Sequence, residues 1–400
     1  MAEKRPTILQ IIPELDTGGA ELSTIEMAGA IVKAGGRALV LSEGGRMAAR
    51  IAAVGAEFVP FAAASKNPAR IAWNGLAIAR LAKAEGADLI HARSRAPAWS
   101  ALLAARRARL PFVTTYHGAY NEKTRLKNLY NSVMARADVV IANSGYTAGL
   151  IKSRYGTPDD KIRIIYRGVD LDRFDPAKVE VKRVARLRAA WDATPDERLI
   201  LNPGRLTAWK GQAVVIAAAR RLAAQGRLEN VAVILAGDDQ GRAAYAAGLK
   251  AEVAAAGLQD KVRLVGHCDD MPAAFLASHL AVVASIEPEA FGRAAAEAQA
   301  MGCPVVSTDI GAPPETVLAP PRVAEAERTG WLVPPGDAER LAAVLAEGLA
   351  MSPEQHAAMA MRARRHVTTS FTTRRMQLAT LKVYDDLLGT GLEQRFQQAC

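Results

Sequence analysis

The stretch from Ile286 to Glu297 reads IEPEAFGRAAAE and sets two carboxylates, Glu289 and Glu297, eight positions apart. Alanine favours helix, so the alanine-rich run after Phe291 and Gly292 predicts a helix that begins near Gly292. The first N–H groups of a helix have no partner within it and lie at the positive end of its dipole, which suits an anion. Eight residues of helix span about 12 Å and would point both glutamate side chains to similar sides. Two glutamates at this spacing are usually solvated acids on a surface helix, so the rest of the chain has to decide between these interpretations.

The length and composition indicate a globular protein with two domains. The chain has 400 residues, of which 50% are hydrophobic and 23% are charged, and this length suits two domains of roughly 150–200 residues. The formal net charge of +10 indicates an anionic partner, without choosing between nucleic acid, anionic lipid and phosphorylated substrates. The sequence contains no uninterrupted run of about 18 apolar residues, so it predicts no transmembrane helix.

The N-terminal segment and the cysteines bear on location and redox chemistry. The segment MAEKRPTILQIIPELD lacks the long apolar region and the small-residue cleavage site of a signal peptide, so we expect a cytoplasmic protein. Cys268, Cys303 and Cys400 are widely spaced and odd in number, which argues against a disulfide framework and against a zinc site.

Short apolar runs alternate with amphipathic, alanine-rich stretches along most of the chain. This alternation predicts mostly parallel sheets that are covered by helices, for instance at Ala20–Val32, Ala69–Ala84 and Tyr146–Arg154. The expected strands of the first half are Thr7–Ile12, Arg37–Leu41, Glu57–Pro60, Asp88–His91, Phe112–Tyr116, Val139–Ala142 and Ile162–Tyr166. The expected strands of the second half are Leu199–Asn202, Val231–Ala236, Val262–Val265, Leu280–Ala284, Pro304–Ser307 and Trp331–Val333.

The charged segment Asp170–Arg188 interrupts this alternation, and we interpret it as a linker that enters a helix. We therefore expect two doubly wound, Rossmann-like α/β domains that face a cleft, one at residues 1–178 and one at residues 190–371. The last part of the chain lacks strand signals. A helix at about 372–390 is expected to cross back and complete the first domain.

The residues that directly follow the strands are the candidates for a site, because ligands bind beyond the carboxyl ends of parallel strands. Gly18 and Gly19 can bring backbone N–H groups close to a phosphate. Arg205 and Lys210 flank a turn from which both cations can reach one diphosphate. Each motif alone also fits a plain alternative, such as a helix-entry turn, two solvated cations or, for His117, a structural histidine. Their common placement at the same end of both sheets favours a site in the cleft.

Together these motifs resemble the retaining glycosyltransferases of family 4, which have the GT-B fold, over nearly the whole chain. The strongest part is EAFGRAAAE at Glu289–Glu297, which is similar to the family's E-x7-E motif and is followed by AQAMGCPVVSTD. GGAE at Gly18–Glu21, YHG at Tyr116–Gly118, GRLTAWKG at Gly204–Gly211 and GVDLDRFDP at Gly168–Pro176 support the resemblance. The combination is specific for the family and poorly specific for the sugar.

The resemblance implies a role for each matching residue. Glu297 is expected to hydrogen-bond the nucleotide ribose, and Glu289 is expected to contact hydroxyls of the transferred sugar. Arg205 and Lys210 are expected to hold the diphosphate and stabilise the charge that develops on it. His117 is expected near the reacting sugar, which makes it, with Arg205, Lys210 and Glu289, an expected catalytic residue. The other residues expected to bind the donor are Gly18, Gly19, Gly204, Gly237, Ala290, Phe291 and Gly292.

The sequence departs from the family's pattern at two places, and one motif resembles a metal site. Arg167 stands where the family usually has Asn, at what we interpret as a linker position, and Gly311-Ala312 stands for a glycine pair in a loop near the phosphates. Both departures can tune the choice of donor. Asp170-x-Asp172 resembles the metal-binding DxD motif of another glycosyltransferase fold, but we interpret it as part of the linker. We therefore expect neither a metal nor another cofactor beside the nucleotide sugar.

Residues Ile90–Trp99 resemble a bacterial subgroup that is associated with lipopolysaccharide or other envelope glycans. Arg93 and Arg95 follow a strand there, and they fit an acceptor-binding role beside Tyr116 and His117 as well as they fit a basic surface loop. Two basic stretches with apolar residues can lie on anionic lipid or form ordinary amphipathic helices. These stretches are Ala104–Arg109 and Asn121–Arg136.

The resemblance thus implies a retaining glycosyltransferase that moves a hexose from a UDP- or GDP-sugar to a glycolipid or polysaccharide, at the cytoplasmic membrane face. One alternative is a GT-B nucleotide-sugar epimerase or hydrolase. The other is a nonenzymatic basic module that binds nucleic acid. The sequence has no basic stretch with interleaved aromatics of the kind that binds RNA, so we expect no nucleic-acid partner.

Overall fold

The computed structural model describes residues 5–16, 18–120 and 124–399. Residues 121–123, at the start of the Asn121–Arg136 stretch, therefore lie outside the described residues. The strands are β1 (Thr7–Ile11), β2 (Arg37–Ser42), β3 (Glu57–Pro60), β4 (Leu89–Ala92), β5 (Phe112–Tyr116), β6 (Val139–Ala142), β7 (Ile162–Ile164), β8 (Arg198–Pro203), β9 (Val231–Ala236), β10 (Val262–Gly266), β11 (Leu280–Val283), β12 (Val305–Thr308) and β13 (Gly330–Val333). The helices are α1 (Gly19–Lys33), α2 (Ala49–Ala53), α3 (Pro68–Ala84), α4 (Arg95–Ala108), α5 (Arg125–Asn131), α6 (Gly145–Tyr155), α7 (Val181–Ala190), α8 (Gln212–Ala224), α9 (Ala243–Ala255), α10 (Met271–Ala277), α11 (Arg293–Ala300), α12 (Pro313–Thr316), α13 (Ala338–Leu349), α14 (Pro353–Ser370), α15 (Thr373–Leu388) and α16 (Leu392–Ala399).

The chain forms two compact units, which we call the first unit (Met1–Gly168 with Thr373–Cys400) and the second unit (Val169–Thr372). Every strand expected from the sequence is present, and the strand ends differ from expectation by at most two residues. The strands in each unit pair in parallel with helices between them, so the predicted fold class of two doubly wound α/β sheets is confirmed.

The first unit contains a sheet of seven strands, within the described residues, in the order β3-β2-β1-β4-β5-β6-β7. Leu9 and Ile11 belong to the apolar cluster that includes residues of α3 and α4, whereas Ile8 belongs to the cluster that includes residues of α1, α15 and α16. Alternate residues of a strand point to opposite faces, so helices cover both faces of this sheet. The order reverses between β1 and β4, where a doubly wound sheet opens a crevice at the carboxyl ends of its strands.

The second unit contains, in the part that the structure describes, a six-stranded sheet in the order β10-β9-β8-β11-β12-β13. Its apolar core includes the strand residues Ile200, Val233 and Val282 and the helix residues Val215 and Leu345, all at most 1% exposed. The order reverses between β8 and β11, so the crevice of this sheet lies beyond those two strands.

The contacts place the boundary of the first unit at Gly168 rather than at the predicted residue 178. The segment after Gly168 joins the second unit because Arg183 pairs with Asp270 at 2.6 Å and Asp175 pairs with Arg364 at 3.0 Å. The charged segment that we expected to be a linker is therefore part of the second unit.

The C-terminal helix returns to the first unit, as the sequence predicts, and it is followed there by α16. Leu381 and Tyr384 of α15 and Phe396 of α16 are at most 2% exposed and pack in the cluster that contains Ile8. In the described ranges, no helix combines the length and the hydrophobicity that a membrane span requires.

Candidate functional site

The loops after β8 and β9 approach each other too closely for side chains. A Cβ atom at Gly237 would lie 1.8 Å from the carbonyl oxygen of Gly204, so only glycine fits there. Gly204 itself has φ +146, and the side chain of Lys210 packs over it. The structure thus brings together three of the expected donor-binding residues, Gly204, Lys210 and Gly237, at the carboxyl ends of neighbouring strands.

The β8 loop also packs directly on the end of β11, across the strand reversal of the sheet. A Cβ atom at Gly211 would lie 1.9 Å from the carbonyl oxygen of Ala284, and Ile286 N–H donates to the carbonyl oxygen of Trp209 at 2.8 Å. These backbone contacts fix the chain on either side of Lys210. They explain why the GRLTAWKG and IEPEAFG stretches, far apart in sequence, form one surface.

Lys210 and Glu289 form an ion pair at this surface, with 2.7 Å between Nζ and Oε1. The side chains are only 17% and 10% exposed, so the pair is shielded from water more than an ordinary surface pair. The hydroxyl of buried Ser285 donates to the same Oε1 atom, and the Lys210 ammonium lies 4.4 Å from the centre of the Trp209 ring. A carboxylate that accepts two hydrogen bonds has a fixed direction and a reduced nucleophilicity.

The loop after β12 holds the backbone of Glu289 from the other side. Gly311 and Glu289 form an isolated parallel bridge, and Ala312 N–H donates to the Glu289 carbonyl oxygen at 2.9 Å. A Cβ atom at Gly311 would lie 2.5 Å from that oxygen, and the φ of Gly311 is +78. Glycine is therefore required at position 311, the first of the two positions where the family has a glycine pair and this chain has Gly311-Ala312. Glu289, in the loop after β11, is therefore contacted by the loops after β8 and β12, so three strand-end loops of the second unit meet at this residue.

The helix after Glu289 begins as predicted, with Gly292 at its N-cap in the left-handed region (φ +80). The reach of about 12 Å estimated from eight helical residues does not apply to the two glutamates, because α11 starts at Arg293 and Glu289 lies ahead of it in a parallel bridge. The ring of Phe291 is 4% exposed and packs edge-on against Phe371 at 5.7 Å between ring centres. The Phe291 side chain is therefore occupied by packing, and the donor-binding role expected of residues 290–292 stays a prediction for their backbone.

Two other charged residues of the expected donor site, Glu297 and Arg205, have partners of their own in the described structure. Glu297 accepts a hydrogen bond from Arg293, four positions earlier on α11, at 3.1 Å and is 16% exposed. The exposed Arg205 reaches Gln240 at 3.4 Å, which is at the long end for a hydrogen bond. A weakly held guanidinium at the mouth of the β8–β9 loops remains available to an anion.

In the first unit, Gly18 is the N-cap of α1 and Gly19 is its first residue, so the phosphate contact expected of this turn stays a prediction. The carbonyl oxygen of Gly19 accepts a hydrogen bond from Arg167, and the same guanidinium donates to Nδ1 of His117. A Cβ atom at Gly18 would lie 2.4 Å from the Glu21 carboxylate, which folds back over the start of the helix. The interpretation of position 167 as part of a linker is therefore wrong. Arg167 instead joins two of the expected site segments through its contacts with Gly19 and His117.

Two of the residues expected on the acceptor side lie inside the first unit. Tyr116 is 0% exposed and belongs to the apolar cluster with Leu9, so its ring offers no surface to a ligand. Arg93 is 3% exposed and donates to Ser23 at 2.7 Å, which rules out the surface-loop interpretation for this residue. Burial lowers the pKa of the Arg93 guanidinium.

Arg95 is partly exposed at the first residue of α4. It donates to Asn131 at 2.7 Å, and its guanidinium lies 4.4 Å from the centre of the Tyr120 ring. Burial raises the pKa of the Tyr120 hydroxyl to about 12. Unlike Arg93 and Tyr116, Arg95 is thus not buried, so an acceptor-binding role stays a prediction for it.

The Asp170-x-Asp172 motif has local duties in the second unit. The Asp170 carboxylate accepts from the N–H of Asp172 at 3.0 Å, and the Asp172 carboxylate pairs with Lys178 at 2.7 Å. Both aspartates therefore act in a turn of the segment that we expected to be a linker and that belongs to the second unit.

Three residues of these surfaces were missed by the sequence analysis: Ser285, Trp209 and, as a site residue, Arg167. Ser285 follows β11, so the strand-end rule would have included it had we applied it to every polar residue. Trp209 could have been included because it directly precedes Lys210, an expected site residue. Arg167 was visible as a departure from the family's pattern, but its two partners lie 50 and 148 positions away in sequence.

Comparisons with known proteins match both units. The model of the family "Glycosyltransferase Family 4" matches residues 17–173, and that of "Glycosyl transferases group 1" matches residues 184–366. A D-inositol 3-phosphate glycosyltransferase from Saccharomonospora viridis is 30% identical over 65% of this chain and 59% of its own length. WcaL of Escherichia coli, assigned to colanic acid biosynthesis, is 31% identical over 64% of this chain and 60% of its own length. The chain thus spans less than two thirds of these curated relatives.

Solved structures match over nearly the whole chain. A glycosyltransferase from Rickettsia africae is 32% identical, with a TM-score of 0.88 over 97% of this chain and 100% of that one. The Anabaena protein HepE, solved in complex with UDP and glucose, is 23% identical, with a TM-score of 0.82 over 96% of this chain and 100% of that one, which shows a shared fold. With the sheet topology, the converging loops and these matches, the chain belongs to the family 4 glycosyltransferases of the GT-B fold.

Proposed function

We propose that the protein is a retaining glycosyltransferase that transfers a hexose from a UDP- or GDP-sugar to a glycolipid or polysaccharide acceptor of the cell envelope. The observation that carries the proposal is the convergence of three glycine-bearing loops on the Lys210–Glu289 pair at the strand reversal of the second unit. Glycines leave room for a ligand to approach the backbone, and a nearby cation suits a diphosphate.

The chemistry of the ion pair supports specific roles in this transfer. Breaking a glycosyl–phosphate bond leaves negative charge on the diphosphate, and a fixed ammonium such as that of Lys210 stabilises this charge. Glu289 is held by Lys210 and Ser285, which favours its use as an acceptor for sugar hydroxyls over its use as a nucleophile. A retaining reaction then proceeds on the front face of the sugar, with the diphosphate taking the proton of the acceptor hydroxyl. No step of this scheme uses a metal.

The experiment that tests this function combines binding with turnover. Thermal unfolding of the full chain with UDP, GDP and their sugars identifies the base, since a ligand at 100 times its Kd adds about 2.7 kcal/mol of stability. Lys210→Ala is expected to lower the transfer rate by about 100-fold or more. Glu297→Ala is expected to weaken nucleotide binding because we assign it to the ribose. Lys250→Ala and Glu252→Ala, both exposed on α9, are the matched controls.

Wild-type transfer rates in Lys210→Ala would overturn the site assignment. Consumption of the donor without any acceptor, with a product other than slow hydrolysis, would instead favour an epimerase or hydrolase.

An anionic membrane surface is the proposed partner of the first unit. Between α3 and α4 lies a groove of about 650 Å³ whose lining includes the cations Arg80, Lys83, Arg107 and Arg109. Large apolar side chains are exposed on the same helices: Trp73 (55%), Leu76 (48%) and Leu103 (44%). Cations beside exposed apolar side chains are the combination that binds anionic lipid surfaces.

Sedimentation with vesicles tests this partner. The protein is expected to bind phosphatidylglycerol vesicles at low salt and not phosphatidylcholine vesicles. Arg107→Glu is expected to weaken this binding, and Arg220→Glu, exposed on α8 of the second unit, serves as a control of equal charge. Equal loss in both variants would mean that net charge alone drives the binding.

A further inference from the structure

Arg167 connects three parts of the first unit through one guanidinium. The residue follows β7 and is 7% exposed. Its Nη1 atom donates to the carbonyl oxygen of Gly19 at the start of α1, and its Nη2 atom contacts Nδ1 of His117 after β5. An asparagine at this position, as the sequence resemblance leads one to expect, is too short to make both contacts.

The contact with Arg167 determines which nitrogen of His117 carries the proton. A guanidinium stays protonated and can only donate hydrogen bonds. Nδ1 of His117 must therefore accept, which leaves the ring proton on Nε2. The tautomer thus follows from the partner of the ring.

The Nε2 atom of His117 is a donor with no acceptor. It is buried, and no residue that the structure describes forms a hydrogen bond with it. Buried donors are almost always paired, so one without a protein partner points to a water, an ion or a bound ligand as its partner. An oxygen of a bound substrate is the partner that suits an N–H donor at this place.

The charges around His117 keep the ring neutral. Arg167, Arg93 and His91 all face it, and the hydroxyl of Tyr120 lies near its backbone. Burial and then the nearby cations hold the pKa of His117 well below its usual range. With Nδ1 occupied by Arg167 and a proton already on Nε2, the ring has no free lone pair to act as a base.

We propose that Arg167 is a positioning residue that holds His117 as the neutral Nε2–H tautomer, so that His117 serves the reaction as a hydrogen-bond donor to a substrate oxygen. The part that concerns the reaction rests on the proposed transferase function. The tautomer and its dependence on Arg167 do not rest on it, because both exist in the unliganded protein.

The first test is a long-range ¹⁵N–¹H correlation spectrum of the full chain, labelled in histidine and free of substrate. Between pH 6 and 8 the His117 ring, assigned by its absence in His117→Gln, is expected to show a protonated Nε2 and an unprotonated Nδ1. In Arg167→Gln the ring is expected to titrate nearer its usual pKa, about 6.5, and to mix tautomers. Arg163→Gln, an exposed arginine on β7, is the matched control and is expected to leave the spectrum unchanged.

The second test measures transfer against pH. Arg167→Gln is expected to lower kcat by about tenfold at pH 8, the effect of one weakened hydrogen bond, because the neutral ring then mixes tautomers. Part of this loss is expected to be recovered as the pH falls through about 6.5, since the protonated ring carries a proton on Nε2 again. His117→Gln, whose amide nitrogen stands near the Nε2 position, is expected to keep more activity than His117→Asn, whose amide nitrogen stands near Nδ1. Arg167→Lys keeps a cationic donor and is the variant to use if Arg167→Gln does not fold.

A protonated Nδ1 in the wild-type protein at pH 7, or a His117 spectrum that Arg167→Gln does not alter, would overturn the proposal. A loss of activity in Arg167→Gln that is equal at every pH would mean a purely structural role. Absence of transfer with every nucleotide sugar would refute the proposed function and leave the spectroscopic result standing.

Discussion

Replacing Lys210 with methionine is expected to lower the free energy of unfolding by about 3 kcal/mol. The lost partner leaves Glu289 with a side chain only 10% exposed and with Ser285 as its remaining side-chain donor in the described structure. Breaking a buried ion pair costs about 3–5 kcal/mol, whereas exposed pairs contribute about 0–1 kcal/mol. Exposures of 17% and 10% place this pair near the lower end of the buried range.

A double-mutant cycle separates the pair from its surroundings. Adding Glu289→Gln to Lys210→Met removes the stranded charge, so we expect the double variant to recover about 2 kcal/mol relative to the sum of the single changes. The control is Lys382–Asp386 on α15, a pair of 3.0 Å whose side chains are 59% and 54% exposed. Its coupling energy is expected to be about 0.4 kcal/mol.

Urea unfolding of the full chain, followed by tryptophan fluorescence, measures both cycles. Trp209 lies beside Lys210 and reports on the second unit directly. A coupling energy for Lys210–Glu289 no larger than that of the control pair would refute the reasoning, because it would show that water reaches the pair freely. A coupling that vanishes in high salt would lead to the same conclusion.

Three further predictions concern both units. Gly237→Ala places a Cβ atom 1.8 Å from a carbonyl oxygen and is expected to abolish nucleotide binding. The control, Gly248→Ala, places its Cβ atom where nothing lies within 4 Å and is expected to raise the free energy of unfolding by up to about 1 kcal/mol. Thermal unfolding with and without UDP measures both variants. The pKa values of His91 and His117 are held well below 6.5, first by burial, so below that pH the unfolded chain binds protons that the native chain does not. Stability is then complete above about pH 6.5 and falls as the pH drops, by up to about 2.7 kcal/mol per pH unit, and His91→Gln is expected to halve this slope in urea titrations. Tyr384→Phe removes the 2.7 Å partner of His91 Nδ1 and is expected to cost about 1–2 kcal/mol in the same assay, with no effect at all counting against a buried hydrogen bond.

The sheets could be predicted from the sequence because strands that are buried on both faces are nearly continuous apolar runs. The run Val231–Ala236 is such a case, and its predicted bounds match the structure. The candidate site of the second unit followed from the same information, since strand ends locate the loops and the loops carry Lys210 and Glu289. The start of α11 at Arg293 followed from Gly292 and the alanines.

What the sequence did not reveal depends on contacts between distant positions. The sequence pattern gave no reason to place Arg167 against His117, or Arg93 in the interior against Ser23. Glu289 lies ahead of the predicted helix, and its bridge to Gly311 joins two loops whose contact no local pattern indicates. A single sequence shows the local preference of each segment for helix or strand. It does not show which distant residues will meet, because the tertiary fold determines these partners.

The return of α15 and α16 to the first unit has a consequence for the order of synthesis. The second unit is one continuous segment, so it can fold as soon as it leaves the ribosome. The sheet that is translated first, by contrast, lacks Leu381, Tyr384 and Phe396 on one face until α15 and α16 have been translated. A stop codon or a truncation ahead of Tyr384 would therefore expose apolar residues on one face of the first sheet, rather than remove a dispensable terminal segment. The domain begun first is completed last, and an interrupted chain exposes apolar surface at its N-terminal half.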